Sequence, residues 1–243
     1  MEKKEALYRE FAPYYDKIYS EKKYQREVTF IDTIIKKHNR GKSILDVACG
    51  TGNHARLLVK KGYSVVGVDK SAQVLKLAKK KVPLAEFKQG DMRSFSLNKK
   101  FDAVLCMFTA INYNLTTADL VKSLKNFKRH LKEGGVIIFD SPLPGPQSYL
   151  SANFVPKDLV TLYVNRDIKK IREVSVYWIF KKNKNAQVFK DIHQIRFYSL
   201  SELSQAMKKA GLKHKVYWGF SLIQKKRKRL VLVCTNRSRE QMT

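Results

Sequence analysis

Residues 45–58, "LDVACGTGNHARLL", constrain the fold more than any other stretch. An apolar run enters a glycine turn, and a helix-forming segment follows at once. Strand, turn and helix in that order make the first half of a βαβ unit, whose turn can hold a nucleotide-like ligand at the helix N-terminus. Nicotinamide dinucleotides use such a turn, and so does S-adenosylmethionine.

The rest of the chain extends the unit. Tyr24, Val28, Ile31 and Ile35 recur at helical spacing within 21–38, and Gly41 closes that segment. Apolar strands are predicted at 43–49, 63–69, 86–91, 101–108 and 136–141. Helices fall between them at 54–62, at 71–81 with Ser71 as N-cap, and at 117–135, where Leu120, Leu124, Phe127 and Leu131 share a face. Continuous apolar strands alternating with helices indicate a parallel sheet covered on both faces. After residue 141 the pattern changes. "SPLPGP" breaks the chain, and "LVTLYV", "IREVSVYWIF" and "VFKDIHQIRFY" alternate with a period near two. These read as antiparallel strands of an inserted lobe. "SLSELSQAMKKAGL" returns to helix, capped by Ser199 or Ser201 with Glu202 completing a capping box. "HKVYWGF" and "RLVLVCTN" close the chain as a hairpin. The expected fold is α/β: a doubly wound, seven-stranded, mostly parallel sheet with an inserted antiparallel β lobe. The expected division is 1–40 as lid and helix, 41–141 as cofactor-binding core, 142–196 as substrate lobe and 197–243 as closing helix and hairpin.

At 243 residues and 44% hydrophobic, the chain can bury one sizeable core. No run approaches the roughly 20 apolar residues of a membrane span, and the charged start "MEKKEALYRE" lacks an apolar signal core. Cys49, Cys106 and Cys234 are odd in number and widely spaced within apolar runs, which fits neither a disulfide framework nor a zinc site. No metal is expected, and a reduced cytoplasmic setting is. The net charge of +28 attracts anions, either nucleic acid or a phosphorylated small molecule. Lysine spread along the whole chain equally suits a basic surface that carries no partner information.

"GTGNHA" at 50–55 matches the dinucleotide fingerprint, but Asp46 stands before the turn at the end of its strand. A carboxylate there repels a pyrophosphate and suits a cofactor that is cationic at that end. S-adenosylmethionine carries an ammonium and a sulfonium. Gly50 and Gly52 let the backbone approach its amino acid part. Asp69 ends the second strand, where a carboxylate accepts from ribose hydroxyls. Asp91 ends the third strand in "GDM", where it can meet an adenine amino group while the Met92 N–H meets a ring nitrogen. Lys70, beside Asp69, and Met107, at the end of the fourth strand, complete the cofactor candidates with Ala48 of the turn.

"LDVACGTG", "VVGVD", "QGDM", "FDAVLCMF" and "HLKEGGVIIFD" stand in the order and spacing of class I S-adenosylmethionine-dependent methyltransferases, which the chain resembles along nearly its whole length. Ala48 replaces the glycine of many members. "YYDKIY", "QGDMRSF" with "FDAVLCMFTAINY", and "FKDIHQIRFYSLSEL" are closest in look to aminosugar N,N-dimethyltransferases, with glycine and sarcosine N-methyltransferases sharing the frame. The resemblance implies S-adenosylmethionine as cofactor and methyl transfer to a small-molecule acceptor, an amine or a nucleotide-linked sugar. It also implies a lid from Tyr15 or Tyr19 over the cofactor, and it matches His193 to a histidine of the aminosugar enzymes. A histidine titrates near neutrality and can take a proton; on a half-buried strand it can also be purely structural.

Methyl transfer is an in-line displacement that gains most from alignment and exclusion of water. In "CMFTAINY", Phe108, Asn112 and Tyr113 are candidates for wall, acceptor hydrogen bond and orienting hydroxyl. Tyr15, Tyr113 and His193 are the catalytic candidates. His54 is expected to cap or pack the first helix, Asp140 to close the fifth strand or face the acceptor, and Trp178 and Tyr177 to pack beneath the lobe. "KKRKR" at 225–229 is expected as a solvated hairpin tip. Two rival functions remain at this level. One is an RNA methyltransferase, motivated by charge alone, since the turn after the fourth strand lacks an N-P-P-Y stretch or a Pro-Cys pair. The other is a noncatalytic partner subunit. The chain is expected to be a monomer, or a homodimer through the lobe, with no membrane partner.

Overall fold

The computed structural model describes residues 2–38, 41–143, 150–155, 159–168, 171–182, 185–221 and 229–235. A three-residue strand, β1 (Glu2–Lys4), leads through two 3-10 turns into the single-turn helix α1 (Tyr15–Ile18) and then α2 (Tyr24–His38). The alternating half follows: β2 (Ser43–Val47), α3 (Asn53–Lys60), β3 (Ser64–Asp69), α4 (Ala72–Lys81), β4 (Glu86–Gln89), β5 (Phe101–Cys106), α5 (Thr117–Arg129) and β6 (Leu131–Pro142). Four longer strands come next, β7 (Leu150–Val155), β8 (Leu159–Ile168), β9 (Ile171–Lys182) and β10 (Asn185–Arg196). Helix α6 (Leu200–Lys209), β11 (Lys213–Trp218) and β12 (Arg229–Thr235) close the chain.

Seven strands form one sheet in the order β11-β12-β6-β5-β2-β3-β4. β6, β5, β2, β3 and β4 run parallel to one another, and β12 pairs antiparallel with both β6 and β11. Helices α2, α3 and α4 bury Ile31, Ile35, Leu58, Leu75 and Ala78 on one face. Helices α5 and α6 bury Leu120, Leu124, Phe127, Leu203 and Met207 on the other. The strand order reverses beside β2, whose neighbours are β3 and β5, and open α/β sheets bind ligands at such a reversal. Local signals place the helix starts. Ser71 Oγ accepts from the Val74 N–H, and Ser199 with Glu202 forms the complete capping box.

Two features differ from the sequence expectation. Leu131, spaced as the last apolar residue of a helix, instead opens β6. Helix α5 ends at Arg129, and the chain bends at Gly134 (φ 70°), while an added Cβ at Gly135 lies 2.9 Å from the Asp102 carbonyl oxygen. The N-terminal segment also does more than cover the core. β1 joins the second sheet, of order β1-β10-β9-β8-β7, pairing parallel with β10 while the other strands are antiparallel. Leu7, Phe11, Tyr15 and Ile18 share a third apolar cluster with Val176 and the fully buried Trp178 of β9. Trp178 is 4.6 Å from Phe11, ring to ring, and the half-buried Tyr177 takes the opposite face of the strand. Residues 2–18 are thus a strap tied to the second sheet.

Candidate functional site

The C-terminal ends of β2, β3 and β5 meet around the glycine turn. Asp46, near the end of β2, is 1% exposed, and its Oδ2 has no hydrogen-bond partner among the described residues. Burial pushes its carboxyl up to about 6, with nearby Asp69 adding to the shift and His54 opposing it. The turn beyond it is left-handed at Ala48 (φ 55°), Gly50 (φ 55°) and Gly52 (φ 79°). The glycines serve different ends. A Cβ built on Gly52 comes within 3.3–3.5 Å of Ala78, Val82 and Phe87, so that glycine sets helix packing; at Gly50 it meets nothing within 4 Å, so that turn borders open space. Asp69 ties the turn to β3, accepting from the Gly50 N–H at 2.9 Å through Oδ2 and from the Ser71 N–H at 2.9 Å through Oδ1. Burial still raises its carboxyl above the ordinary range. Lys70 is exposed, and its carbonyl accepts from Gln89 at 3.0 Å. Met107 is buried behind the turn.

The third strand end looks different. Asp91 accepts from the Arg93 backbone N–H and Nε at 2.9 Å and from Nη2 at 2.7 Å. These bonds hold its carboxyl down at about 2. Much of the acceptor capacity expected for an adenine amino group is therefore engaged with Arg93. Met92 turns its carbonyl and sulfur toward Asn126 and Asn114.

The strap crosses this edge. Ser71 Oγ donates to the Tyr8 carbonyl, and the Asp16 carboxylate accepts from Thr51 Oγ1 at 2.6 Å, from Asn53 Nδ2 at 2.8 Å and from Lys81. Tyr15, buried, stacks between Tyr8 and Tyr19 with ring centroids 6.1 and 4.8 Å away, and Tyr19 meets Phe108 edge-on at 4.9 Å. Burial lifts the Tyr15 hydroxyl well above its ordinary value, so it stays protonated.

A hydrogen-bond chain runs from the strap into the second sheet. Tyr8 and Tyr113 join hydroxyls at 2.9 Å, Tyr113 reaches His193 Nδ1 at 3.1 Å, and His193 Nε2 lies 3.0 Å from Asp191 Oδ2. Burial pushes the Asp191 carboxyl up, but bonds from His193 and from the Ala6 and Leu7 N–H groups, both at 2.8 Å, outweigh it and leave the group ionised below its usual value. An ionised carboxylate only accepts, so Nε2 carries the hydrogen. In the uncharged imidazole Nδ1 is then the acceptor, which lets the Tyr113 hydroxyl donate to it and the Tyr8 hydroxyl donate to Tyr113. Both phenols are raised in pKa by burial and remain neutral.

Three further candidates are taken up by partners within the protein. Asn112 is fully buried and uses its amide N–H groups on Ser141 Oγ (3.1 Å) and the Arg196 carbonyl (2.6 Å), so it braces the turn after β5 rather than offering those donors to an acceptor. His54 pairs with Glu27 at 2.7 Å. Asp140 accepts from Arg229 and from the Thr109 N–H at 3.1 Å. Of the basic run at 225–229, residues 225–228 lie outside the described residues.

A methyltransferase-domain family matches residues 44–135. The chain is 32% identical over 202 residues to a dTDP-3-amino-3,4,6-trideoxy-α-D-glucopyranose N,N-dimethyltransferase of Streptomyces venezuelae, covering 79% of this chain and 84% of that one. The chain belongs to the S-adenosylmethionine-dependent methyltransferases. It is also 30% identical to a dTDP-3-amino-3,6-dideoxy-α-D-glucopyranose N,N-dimethyltransferase of Streptomyces fradiae, over 84% of both chains. The crystal structure of Streptomyces venezuelae DesVI superposes with a TM-score of 0.79 at 29% identity, covering 89% of this chain and 93% of that one.

The methyltransferase uses S-adenosylmethionine, and its residues fit that donor. An unpartnered, buried carboxylate at Asp46 suits an ammonium, and the space over Gly50 admits the amino acid portion. Sequence reasoning missed Tyr8, Asp191 and Lys22. Lys22 lies 4.6 Å over the Phe108 ring and pairs with Glu27, its ammonium held below the ordinary range by burial. "DIH" contained the signal for Asp191, because residues two apart on a strand share a face. Nothing local marks Tyr8, whose place depends on the strap. No helix among the described residues is long and apolar enough to cross a membrane.

Proposed function

We propose that this methyltransferase methylates an amine on a small molecule, of the nucleotide-linked aminosugar class. The observation that carries the reading is the chain Tyr8–Tyr113–His193–Asp191 beside the cofactor edge. The donor, when bound, supplies an electrophilic methyl on a sulfonium that leaves as a neutral thioether. No acid is needed to expel it. An amine that arrives as an ammonium must lose one proton before it can attack, and His193 is the group that takes it. Asp46 binds the donor's ammonium, Gly50 and Ala48 line its amino acid part, and Asp69 with Ser71 holds its ribose. Gly52 packs the turn, and Lys70, Asp91, Met92 and Met107 border the adenine side. Tyr15 and Tyr19 cover the donor and exclude water, which fixes the reacting atoms in line.

The two Streptomyces enzymes named above support the acceptor class by their own activities. The same reading keeps the four-part division into strap and first helix, core, lobe and closing segment. Three free, buried cysteines support a reducing, cytoplasmic setting. A monomer or a homodimer built through the lobe completes the reading, and sedimentation distinguishes them.

A labelled-methyl screen of simple amines, dTDP-aminosugars and RNA tests the proposal. Label is expected in the sugar amine, in up to two additions. Label confined to RNA, with binding that falls steeply with salt, contradicts it.

A further inference from the structure

One carboxylate serves two structures that have no other reason to share it. Asp191 is fully buried in β10. Its Oδ2 receives the His193 ring hydrogen, and its two oxygens receive the Ala6 and Leu7 N–H groups of the strap. β1 pairs with β10 just upstream, with Lys3 opposite Asp191 and Lys4 opposite Ile192, and the Glu5 N–H donates to the Ile192 carbonyl at 3.2 Å. The strap then reaches across to Ser71 and places the Tyr8 hydroxyl on Tyr113. Tyr8 also packs edge-on against the imidazole, with ring centroids 5.6 Å apart. Without the docked strap, Asp191 loses two of its three donors, and the hydrogen-bond chain loses its outermost hydroxyl.

We propose that Asp191 is a positioning residue that couples proton removal to closure, because the carboxylate that fixes His193 as a proton acceptor also anchors the strap that supplies Tyr8. This rests on the reading of His193 as the proton acceptor. The step balances without a further reagent. The acceptor's ammonium gives a proton to Tyr8 Oη, Tyr8 passes its own to Tyr113 Oη, and Tyr113 passes its own to His193 Nδ1. Both phenols end neutral, the amine keeps its lone pair for the methyl carbon, and the charge ends as an imidazolium beside Asp191. An open strap leaves the route one hydroxyl short, so an acceptor that arrives before closure is not deprotonated.

The test uses the whole chain loaded with S-adenosylhomocysteine and needs no acceptor. In the unaltered protein, nitrogen NMR is expected to find the His193 hydrogen on Nε2, and the Ala6 and Leu7 amides protected at least tenfold from exchange. Asp191→Asn is expected to lose the tautomer preference and to release S-adenosylhomocysteine about tenfold faster in stopped flow. His193→Gln leaves Asp191 holding Ala6 and Leu7, so its release rate is expected within twofold of the unaltered chain. Unprotected Ala6 and Leu7 amides, or a hydrogen on Nδ1, overturn the proposal even if Asp191→Asn fails to fold. So does an Asp191→Asn protein with unchanged release, or a His193→Gln protein that releases as fast as Asp191→Asn. A failed methylation screen would sink the amine reading and leave these results standing.

Discussion

The glycine turn and the hydrogen-bond chain from the strap to the second sheet are built on opposite principles. At the cofactor edge, Asp46 sits buried with an oxygen unpartnered, beside a glycine bordering open space. Across the strap, each group from Tyr8 to Asp191 has a partner within 3.1 Å. Buried polar groups are ordinarily satisfied, because an orphan costs about 1–3 kcal/mol. The unsatisfied Asp46 carboxylate suits the charged ligand proposed for it, whereas the chain from Tyr8 to Asp191 is complete without one. Removing the Asp46 charge and removing a hydroxyl from the wired chain should move stability in opposite directions.

The sharpest break is Asp46→Asn. Loss of the ammonium's counter-charge is expected to weaken S-adenosylmethionine binding 100-fold or more, about 3 kcal/mol, by calorimetry. The unliganded protein is expected to gain stability. The folded-state pKa of Asp46, about 6, lies above its unfolded value, so the group costs stability progressively as pH rises from the unfolded pKa to the folded one, and the full cost is present above about pH 6. Asp46→Asn should therefore raise the melting point at pH 8, by up to about 2–3 kcal/mol of stability, and change little near pH 3.5, where both states are protonated. Equal destabilisation at both pH values contradicts the account.

On the wired side, Tyr113→Phe removes the middle hydroxyl and leaves His193 Nδ1 and the Tyr8 hydroxyl without their shared partner. About 1–3 kcal/mol of stability should be lost in denaturant titration, and turnover should fall by 10- to 100-fold. A gain in stability would erase the contrast. Smaller is the pH effect in the unaltered protein. Protonation of Asp46 below about pH 6 should weaken cofactor binding up to tenfold per pH unit. The smallest change expected is Gly50→Ala, where a left-handed backbone costs an alanine about 1 kcal/mol and the methyl enters the open space without touching the core. Cofactor affinity should fall more than stability does, whereas Gly52→Ala, pressed against Ala78 and Val82, should lose stability as well.

The same division explains what could be read from sequence. The cofactor edge is local: a strand end, a turn and a cap lie within 30 residues, and short-range periodicity with glycine placement identifies them. The positions of Asp46, Gly50, Gly52 and Asp69 around one turn were therefore legible, as was the seven-stranded sheet. Apart from the His193–Asp191 pair, the wired side joins residues separated by 80 to 185 positions, and no periodicity reports such contacts. His193 stood out by its type. Tyr8 did not, because its role follows from β1 pairing with β10, a parallel pairing without local turn chemistry to announce it. Asp91 shows the limit of strand-end reasoning even within the local half, since Arg93, two residues on, takes up its carboxylate. Asn112 shows the same for the turn after β5, where position suggested the acceptor but the amide was needed to brace Ser141 and Arg196.

The central claim is that the buried Asp46 carboxylate beside the glycine turn holds a cationic methyl donor. Parallel calorimetric titrations of the full chain with S-adenosylmethionine and with NADH at pH 7.5 test it most directly. The account predicts saturable one-to-one binding of S-adenosylmethionine and none of NADH. Tight NADH binding with no response to S-adenosylmethionine would contradict it.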